Sequence, residues 1–282
     1  MAGLAFWKMS GTGNDFVVVD NRRGLVAADA GPALARRLCA RGFSVGADGL
    51  ILIERSRAAD FAWRFYNADG SEAAMCGNGG RCAARFAFLK KIAPATMRFV
   101  TGAGVVRAEV RGARVKLELP PPRDYRERVP VEVAERRVEP GFIVVGVPHA
   151  VLHADPLEQV PVAEWGRALR FHPAFGPAGA NANFFRVEGP RRLRVRTYER
   201  GVEAETLACG TGSVATTLVA AAAGLVKSPT TVTTSGGEEL TVHFRRTKAG
   251  FSEVFLEGGA DVVFEGRLWE EPAAPARVRR RG

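Results

Sequence analysis

Two stretches decide how this chain is built: EAAMCGNGGRCAARF (residues 72–86) and ETLACGTGSVATTLV (residues 205–219). Laid side by side they bring Cys76 onto Cys209, Gly77 onto Gly210 and Gly79 onto Gly212, at an offset of 133 residues. Two earlier pairs keep the same order. GTGNDFVVVD (11–20) meets GVPHAVLHAD (146–155) at an offset of 135, and GADGLILIE (46–54) meets ANANFFRVE (180–188) at 134. Three ordered matches at nearly one offset mark a duplication into two related domains, because a period this long is not that of a solenoid.

Each half reads as a strand, a helix around LARRLCARG (34–42) or AEWGRALR (163–170), more strands, then a cysteine loop and an alanine-rich helix. Runs such as VRAEV, VKLEL and TVHF alternate apolar with polar residues, as strands with one solvated face do, whereas FVVVD and LILIE read as buried on both faces. The fold class is therefore α+β, with mixed or antiparallel sheet in each of two pseudo-symmetric domains. The proline-rich segment LPPPRDYRERVP (119–130) interrupts regular structure and supplies the boundary. The domains expected are 1–122 and 123–265. The closing strand DVVFEGRLWE (261–270) returns to the first domain, which residues 266–282 complete, and EPAAPARVRRRG is a frayed tail.

Composition narrows the function classes. A chain of 282 residues with 46% hydrophobic and 25% charged residues is ordinary globular protein. No leader pattern opens it, and its longest apolar run, VATTLVAAAAGLV (214–226), is too short for a span of about 20 residues, so no membrane role is expected. Four cysteines are too few for a disulfide framework, and reduced thiols in a cytoplasm are the expectation. Cys76 and Cys82 lack zinc-ligand spacing, so no metal is expected either. The net charge of +10 raises the question of nucleic acid, but the basic residues are dispersed. In RRLRVR (191–196) they alternate with Leu193 and Val195, as on the wet face of a strand. No nucleic-acid partner is expected.

The chemistry lies at the two cysteine loops. Each cysteine precedes a glycine-rich turn that opens a helix, and at a helix N-terminus the unpaired N–H groups and the positive dipole end lower a thiol pKa that starts near ~8.5. The glycines let a ligand approach the same N–H groups, which suit a carboxylate. One such loop would be a weak signal. Two, in related halves, place a shared carboxylate between two helix ends and its α-carbon between two sulfurs, with one thiol to remove a proton and the other to deliver one. The implied reaction is racemisation or epimerisation of an amino acid. The lysines lie outside the glycine loops, so no pyridoxal phosphate site is evident, and GTGND is an incomplete nucleotide fingerprint.

These residues resemble the diaminopimelate epimerase family over nearly the whole chain, through KMSGTGNDFVVVD, GADGLILIE, YNADGSEAAMCGNGGRC, VGVPHAV and YERGVEAETLACGTG in the family's order. The resemblance implies sheet wrapped around a central helix in each domain and a cytoplasmic enzyme of lysine and peptidoglycan precursor synthesis. It also implies no cofactor or metal, and a homodimer. Position by position, it implies that Cys76 and Cys209 are the catalytic thiols and that Gly77, Asn78, Gly210 and Thr211 bind the α-carboxylate. Asn14, Asn67, Asn181 and Arg200 match substrate-binding positions, Arg200 as a carboxylate fork. Glu199 and His149 match polar residues close to the thiols, while Cys39 and Cys82 have no duplicate partner and read as packing residues. Val147 stands where many family members carry Asn, and Gly49 where some carry Gln, which puts recognition of the distal end of the substrate in question. The nearest rival is a proline-racemase-like enzyme sharing both thiols, and phenazine-pathway isomerases share the architecture without needing them. A redox pair of Cys76 with Cys209 is a further alternative, in which oxidation would inactivate reversibly.

Overall fold

A computed structural model describes residues 3–248 and 250–269. The proposed frayed tail and the basic run 277–282 lie outside the described residues. One 17-stranded sheet runs through both halves. In the first half the neighbours run Asp261–Arg267, Ala5–Gly11, Asn14–Asp20, Gly49–Glu54, Phe61–Asn67, Thr96–Thr101, Gly104–Arg111 and Arg114–Glu118. Arg114–Glu118 pairs antiparallel with Gly250–Gly259 of the second half. From there the order is Glu239–Thr247, Thr230–Thr233, Arg192–Glu199, Asn181–Gly189, Val147–His153, Gly141–Val145 and Arg123–Arg126, with Ala204–Thr206 beside Arg192–Glu199.

The parallel pairs repeat between the halves. Asn14–Asp20 runs parallel to Gly49–Glu54 as Val147–His153 does to Asn181–Gly189, and Phe61–Asn67 to Thr96–Thr101 as Arg192–Glu199 to Thr230–Thr233. The sheet is mixed, and the four α-helices of the described residues are α1 (Gly31–Cys39), α2 (Gly77–Leu89), α3 (Val162–Arg170) and α4 (Gly210–Ala222).

Strand alternation assigns each helix its face. Phe16, Val18, Ile51 and Ile53 point inward and pack with Cys82, Ala83 and Phe86 of α2. Their neighbours Val17, Val19, Leu50 and Leu52 point outward and pack with Leu34 and Leu38 of α1. Each such buried side chain contributes about 1.5–3 kcal/mol. The second half repeats the arrangement, with α4 inside against Ile143, Val151, Phe185 and Val195, and Leu169 of α3 outside against Ala150, Ala182, Phe184 and Tyr198. Enclosure on all sides explains why α4 is Ala-, Val- and Thr-rich without a polar face. The helix expected at 34–42 begins at Gly31, since Pro32 fits a first turn, and ends before Gly42, whose φ is +80°.

Register also corrects the internal alignment. Tyr66 and Tyr198 occupy matching rows, each against a glycine of its outer helix, Gly31 or Gly166. They lie 132 residues apart, and Phe16 matches His149 at 133. The offsets of 134 and 135 read from these strands were two residues too large. A slip of two keeps every side chain on its own face, so hydrophobic pattern alone does not detect it.

The ends of the halves are exchanged. Arg123–Arg126 follows the first half yet pairs with Gly141–Val145, while Asp261–Arg267 follows the second half yet pairs with Ala5–Gly11. The return to the first half therefore occurs at Ala260, buried in the core around α2, earlier than the boundary at 266. RRLRVR forms the expected strand: Leu193 and Val195 are buried, and Arg192, Arg194 and Arg196 pair with Glu239, Glu188 and Glu205. No helix of the described residues is long and apolar enough to cross a membrane.

Candidate active site

Cys76 and Cys209 are the N-caps of the two central helices. Each has extended backbone, and each sulfur accepts the N–H of the third helical residue, Gly79 or Gly212, at 3.4 Å. A thiol thus takes the capping place usually held by a hydroxyl or carboxylate. The next N–H groups, of Gly80 and Ser213, bond to the cysteine carbonyls at 2.8 and 2.9 Å. Those of Gly77, Asn78, Gly210 and Thr211 donate to no protein oxygen among the described residues. They are the orphan donors of two helix ends, available to an anion.

The two ends meet. A Cβ built on Gly210 would stand 3.7 Å from Asn78 Oδ1, while one built on Gly77 meets nothing within 4 Å. Both cysteines line one cavity of about 900 Å³, together with Asn14, Asn67, Gly77, Asn78, Glu199, Gly210 and Thr211. Its apolar walls include Phe16, Phe65, Met75, Leu119 and Leu256.

The thiols do not titrate as the helix ends alone would have them. Burial raises the Cys76 thiol above its ordinary range despite the N–H groups of Gly79 and Asn78. Burial pushes Cys209 up to about 12, and the nearby Glu199 carboxylate adds to the rise. Burial thus outweighs the expected lowering, because desolvation of a thiolate exceeds what a few N–H dipoles return. Glu199 is itself raised by burial.

The remaining expected residues divide. Asn14 lines the cavity, accepting from Asn78 Nδ2 at 2.7 Å and donating to Asp48 at 2.9 Å. Asn67 donates to Ser71 Oγ at 2.9 Å. Asn181, Arg200 and His149 are not on the cavity wall. Asn181 is buried and its Oδ1 accepts the Arg200 N–H at 2.7 Å, while the Arg200 guanidinium reaches the Ala178 carbonyl at 3.5 Å. His149 is fully buried, and burial lowers its pKa to about 3. Its Nδ1 accepts from Asn183 Nδ2 at 3.2 Å, leaving Nε2 without a partner among the described residues. It sits behind α4, because a Cβ on Gly212 would collide with Asn183 Oδ1. Val147 lines the cavity, and Gly49 has no room for a side chain, since a Cβ there would lie 2.7 Å from the Tyr66 carbonyl oxygen.

Sequence reasoning missed Asp48 and Arg123 on the cavity wall, and Thr12, Arg81 and Asn183 behind it. Asp48 lay within a quoted motif, flanking an apolar strand. Arg81 and Arg85 were charges inside a helix rich in Gly, Ala and Phe, which is a visible signal.

A family model described as diaminopimelate epimerase matches residues 6–121 and 141–262. The diaminopimelate epimerase of Aquifex aeolicus (strain VF5) is 47% identical over 283 residues, covering 95% of this chain and 99% of that protein. Among solved structures, a Bacillus anthracis phenazine biosynthesis protein of the PhzF family superposes with a TM-score of 0.71 at 14% identity, covering 96% and 100% of the two chains. A probable proline racemase from Agrobacterium radiobacter K84 gives 0.68 at 17%, covering 96% and 94%. At these identities the two structures show a shared fold.

Proposed function

The chain belongs to the diaminopimelate epimerase family, and on that premise we propose that it interconverts LL- and meso-diaminopimelate through Cys76 and Cys209. The observation that carries this reading is the pair of thiol-capped helix N-termini opening on one cavity. The substrate α-carboxylate accepts the free N–H groups of Gly77, Asn78, Gly210 and Thr211, which sets the α-carbon between the sulfurs. The thiolate on one face takes the α-proton, forming S–H, and the electron pair of the broken C–H bond spreads into the carboxylate held by the two helix ends. The S–H of the opposite thiol then breaks and its proton goes to the other face of the carbon. The same steps reversed return the first isomer, so base and acid exchange roles with the isomer bound.

Burial raises both thiols, so forming a thiolate here needs a compensating positive charge. The ammonium group of the substrate supplies the positive charge that favours one thiolate, its proton leaving to solvent before the cavity closes. Asn14, Asn67 and Glu199 hold the polar ends of the substrate from the cavity wall, and Arg200 and Asn181 reach the distal carboxylate as the halves close. His149, neutral and buried, fixes Asn183 behind α4. The closing units follow the expected domains 1–122 and 123–265, with the second boundary moved from 265 to 260 so that the strand from Asp261 belongs to the first. Reduced thiols fit a cytoplasmic setting. A homodimer fits the edge strand Asp261–Arg267, which pairs on one side only among the described residues and exposes Val263 and Phe264.

The test is incubation of the reduced, dialysed protein in D2O with LL-diaminopimelate, with proline and glutamate in parallel. Deuterium at the α-carbon together with formation of the meso isomer is expected. Exchange with proline alone would transfer the two-thiol chemistry to a racemase of another substrate.

A further inference from the structure

Arg81 is fully buried, on the second turn of α2, and forms no ion pair with a carboxylate among the described residues. Such a charge is expensive to bury unless something answers it. Its Nη2 donates to Thr12 Oγ1 at 2.7 Å and to Asn78 Oδ1 at 2.9 Å, its Nε donates to the Gly259 carbonyl at 3.2 Å, and its Nη1 has no acceptor among the described residues. Asn78 in turn donates to the Thr12 carbonyl at 3.3 Å and to Asn14 Oδ1 at 2.7 Å. With these bonds both Asn78 amide hydrogens are used inside the protein, and its backbone N–H is the donor left for a ligand.

The third acceptor has a particular place in the chain. Gly259 ends the strand Gly250–Gly259 of the second half, and Asp261 begins the strand that belongs to the first. A Cβ on Gly258 would lie 3.0 Å from Arg81 Nε, so the glycine lets the guanidinium lie against this crossing. Arg85, one turn further along α2, donates to the Ala260 carbonyl beside it. Leu256, on the same strand, lines the cavity.

Resting on the function proposed above, we propose that Arg81 is a positioning residue: it ties Asn78 and Thr12 to the Gly259 carbonyl. The crossing between the halves thereby holds the N–H groups of Gly77 and Asn78 in place, and a bound carboxylate answers the arginine's charge. The groups charged or titratable around it are Cys76, Cys82, Glu238 and Arg114, and its charge favours the Cys76 thiolate. Cys209 has no counterpart, since Val214 stands at the matching place in α4.

The experiment compares the full chain with Arg81→Met, Arg81→Lys and Thr12→Ala, reading steady-state kinetics with diaminopimelate and, separately, alkylation of each thiol by iodoacetamide followed by peptide mass. For Arg81→Met we expect kcat to fall about 100-fold with KM rising less than about tenfold, as for loss of a group that organises an anion site. Cys76 alkylation should slow about tenfold while that of Cys209 is unchanged. Arg81→Lys should recover about tenfold of kcat, keeping the charge without the full set of bonds. Parent-like kinetics and alkylation in Arg81→Met would overturn the proposal, as would equal slowing of both thiols without rescue by lysine. If Arg81→Met does not fold, Thr12→Ala decides: a fall in kcat with slowing confined to Cys76 supports the role, and parent-like behaviour refutes it. The alkylation arm needs no substrate, so Arg81 is judged even if the parent fails to act on diaminopimelate.

Discussion

Behind the N-terminus of α2 the sheet presents Phe16, Ile51 and Phe65; behind that of α4, in matching rows, it presents His149, Asn183 and Thr197. The polar group of the first half comes instead from the helix, as Arg81, where the second half has Val214. The second half links its polar wall internally, leaving only His149 Nε2 of these three side chains without a partner among the described residues: Thr197 donates to Asn183, and Asn183 donates to His149 and to the Ala150 carbonyl. Backbone features common to both halves, the capping sulfur and two free N–H groups, are what duplication preserved. Charge is what diverged, with a cation behind Cys76 and the Glu199 carboxylate beside Cys209. The two thiols are alike in geometry and unlike in electrostatics.

The largest effect expected is loss of either thiol. Cys76→Ala and Cys209→Ala should each lower epimerisation by about 10³- to 10⁴-fold, while Cys39→Ala and Cys82→Ala stay within about twofold. Full activity in either catalytic-site variant would break the equivalence of the halves. Next comes the glycine pair. Gly212→Ala forces a Cβ into Asn183 and within 3.1 Å of Cys209 Sγ, and should destabilise by about 1–3 kcal/mol in denaturant unfolding. Gly77→Ala opens onto the cavity and should leave stability unchanged while raising KM about tenfold, measured in the same preparation.

A smaller effect separates the sheet walls by pH. The unfolded chain protonates His149 below about 6.5, whereas the folded protein resists to about 3, so this residue's contribution to stability is present above pH 6.5 and lost as pH falls toward 3. The slope is about 1.4 kcal/mol per pH unit in that window. His149→Phe, which gives the second half the residue of the first, should flatten the dependence of unfolding free energy on pH by one proton. An unchanged slope would mean that His149 is protonated when folded. Smallest is Val147→Asn at the place matching Asn14, for which we expect kcat unchanged and KM altered less than about fivefold.

Much of this was legible before the fold was known. The duplication was visible because backbone-dictated glycines and thiols recur, and the burial of FVVVD and LILIE followed from their composition. The strand offsets were misread because a slip of two residues leaves inward and outward faces intact. The boundary was set late because the strand Asp261–Arg267 runs through 266 without a break, and only its pairing with Ala5–Gly11 assigns it to the first half. The sign of the thiol shift was missed because helix ends are written in sequence while desolvation belongs to the assembled cavity. Arg81 stood in the first stretch quoted, yet its partners Thr12 and Gly259 are distant in sequence, and only packing brings them together.

The most direct test of two thiols acting from opposite faces is where solvent deuterium goes at early conversion. From LL-diaminopimelate in D2O, the meso product should carry solvent deuterium while recovered substrate carries none, and the reverse reaction should label only the LL isomer. Equal labelling of substrate and product from the first turnovers would mean that one group both removes and returns the proton, contradicting the account.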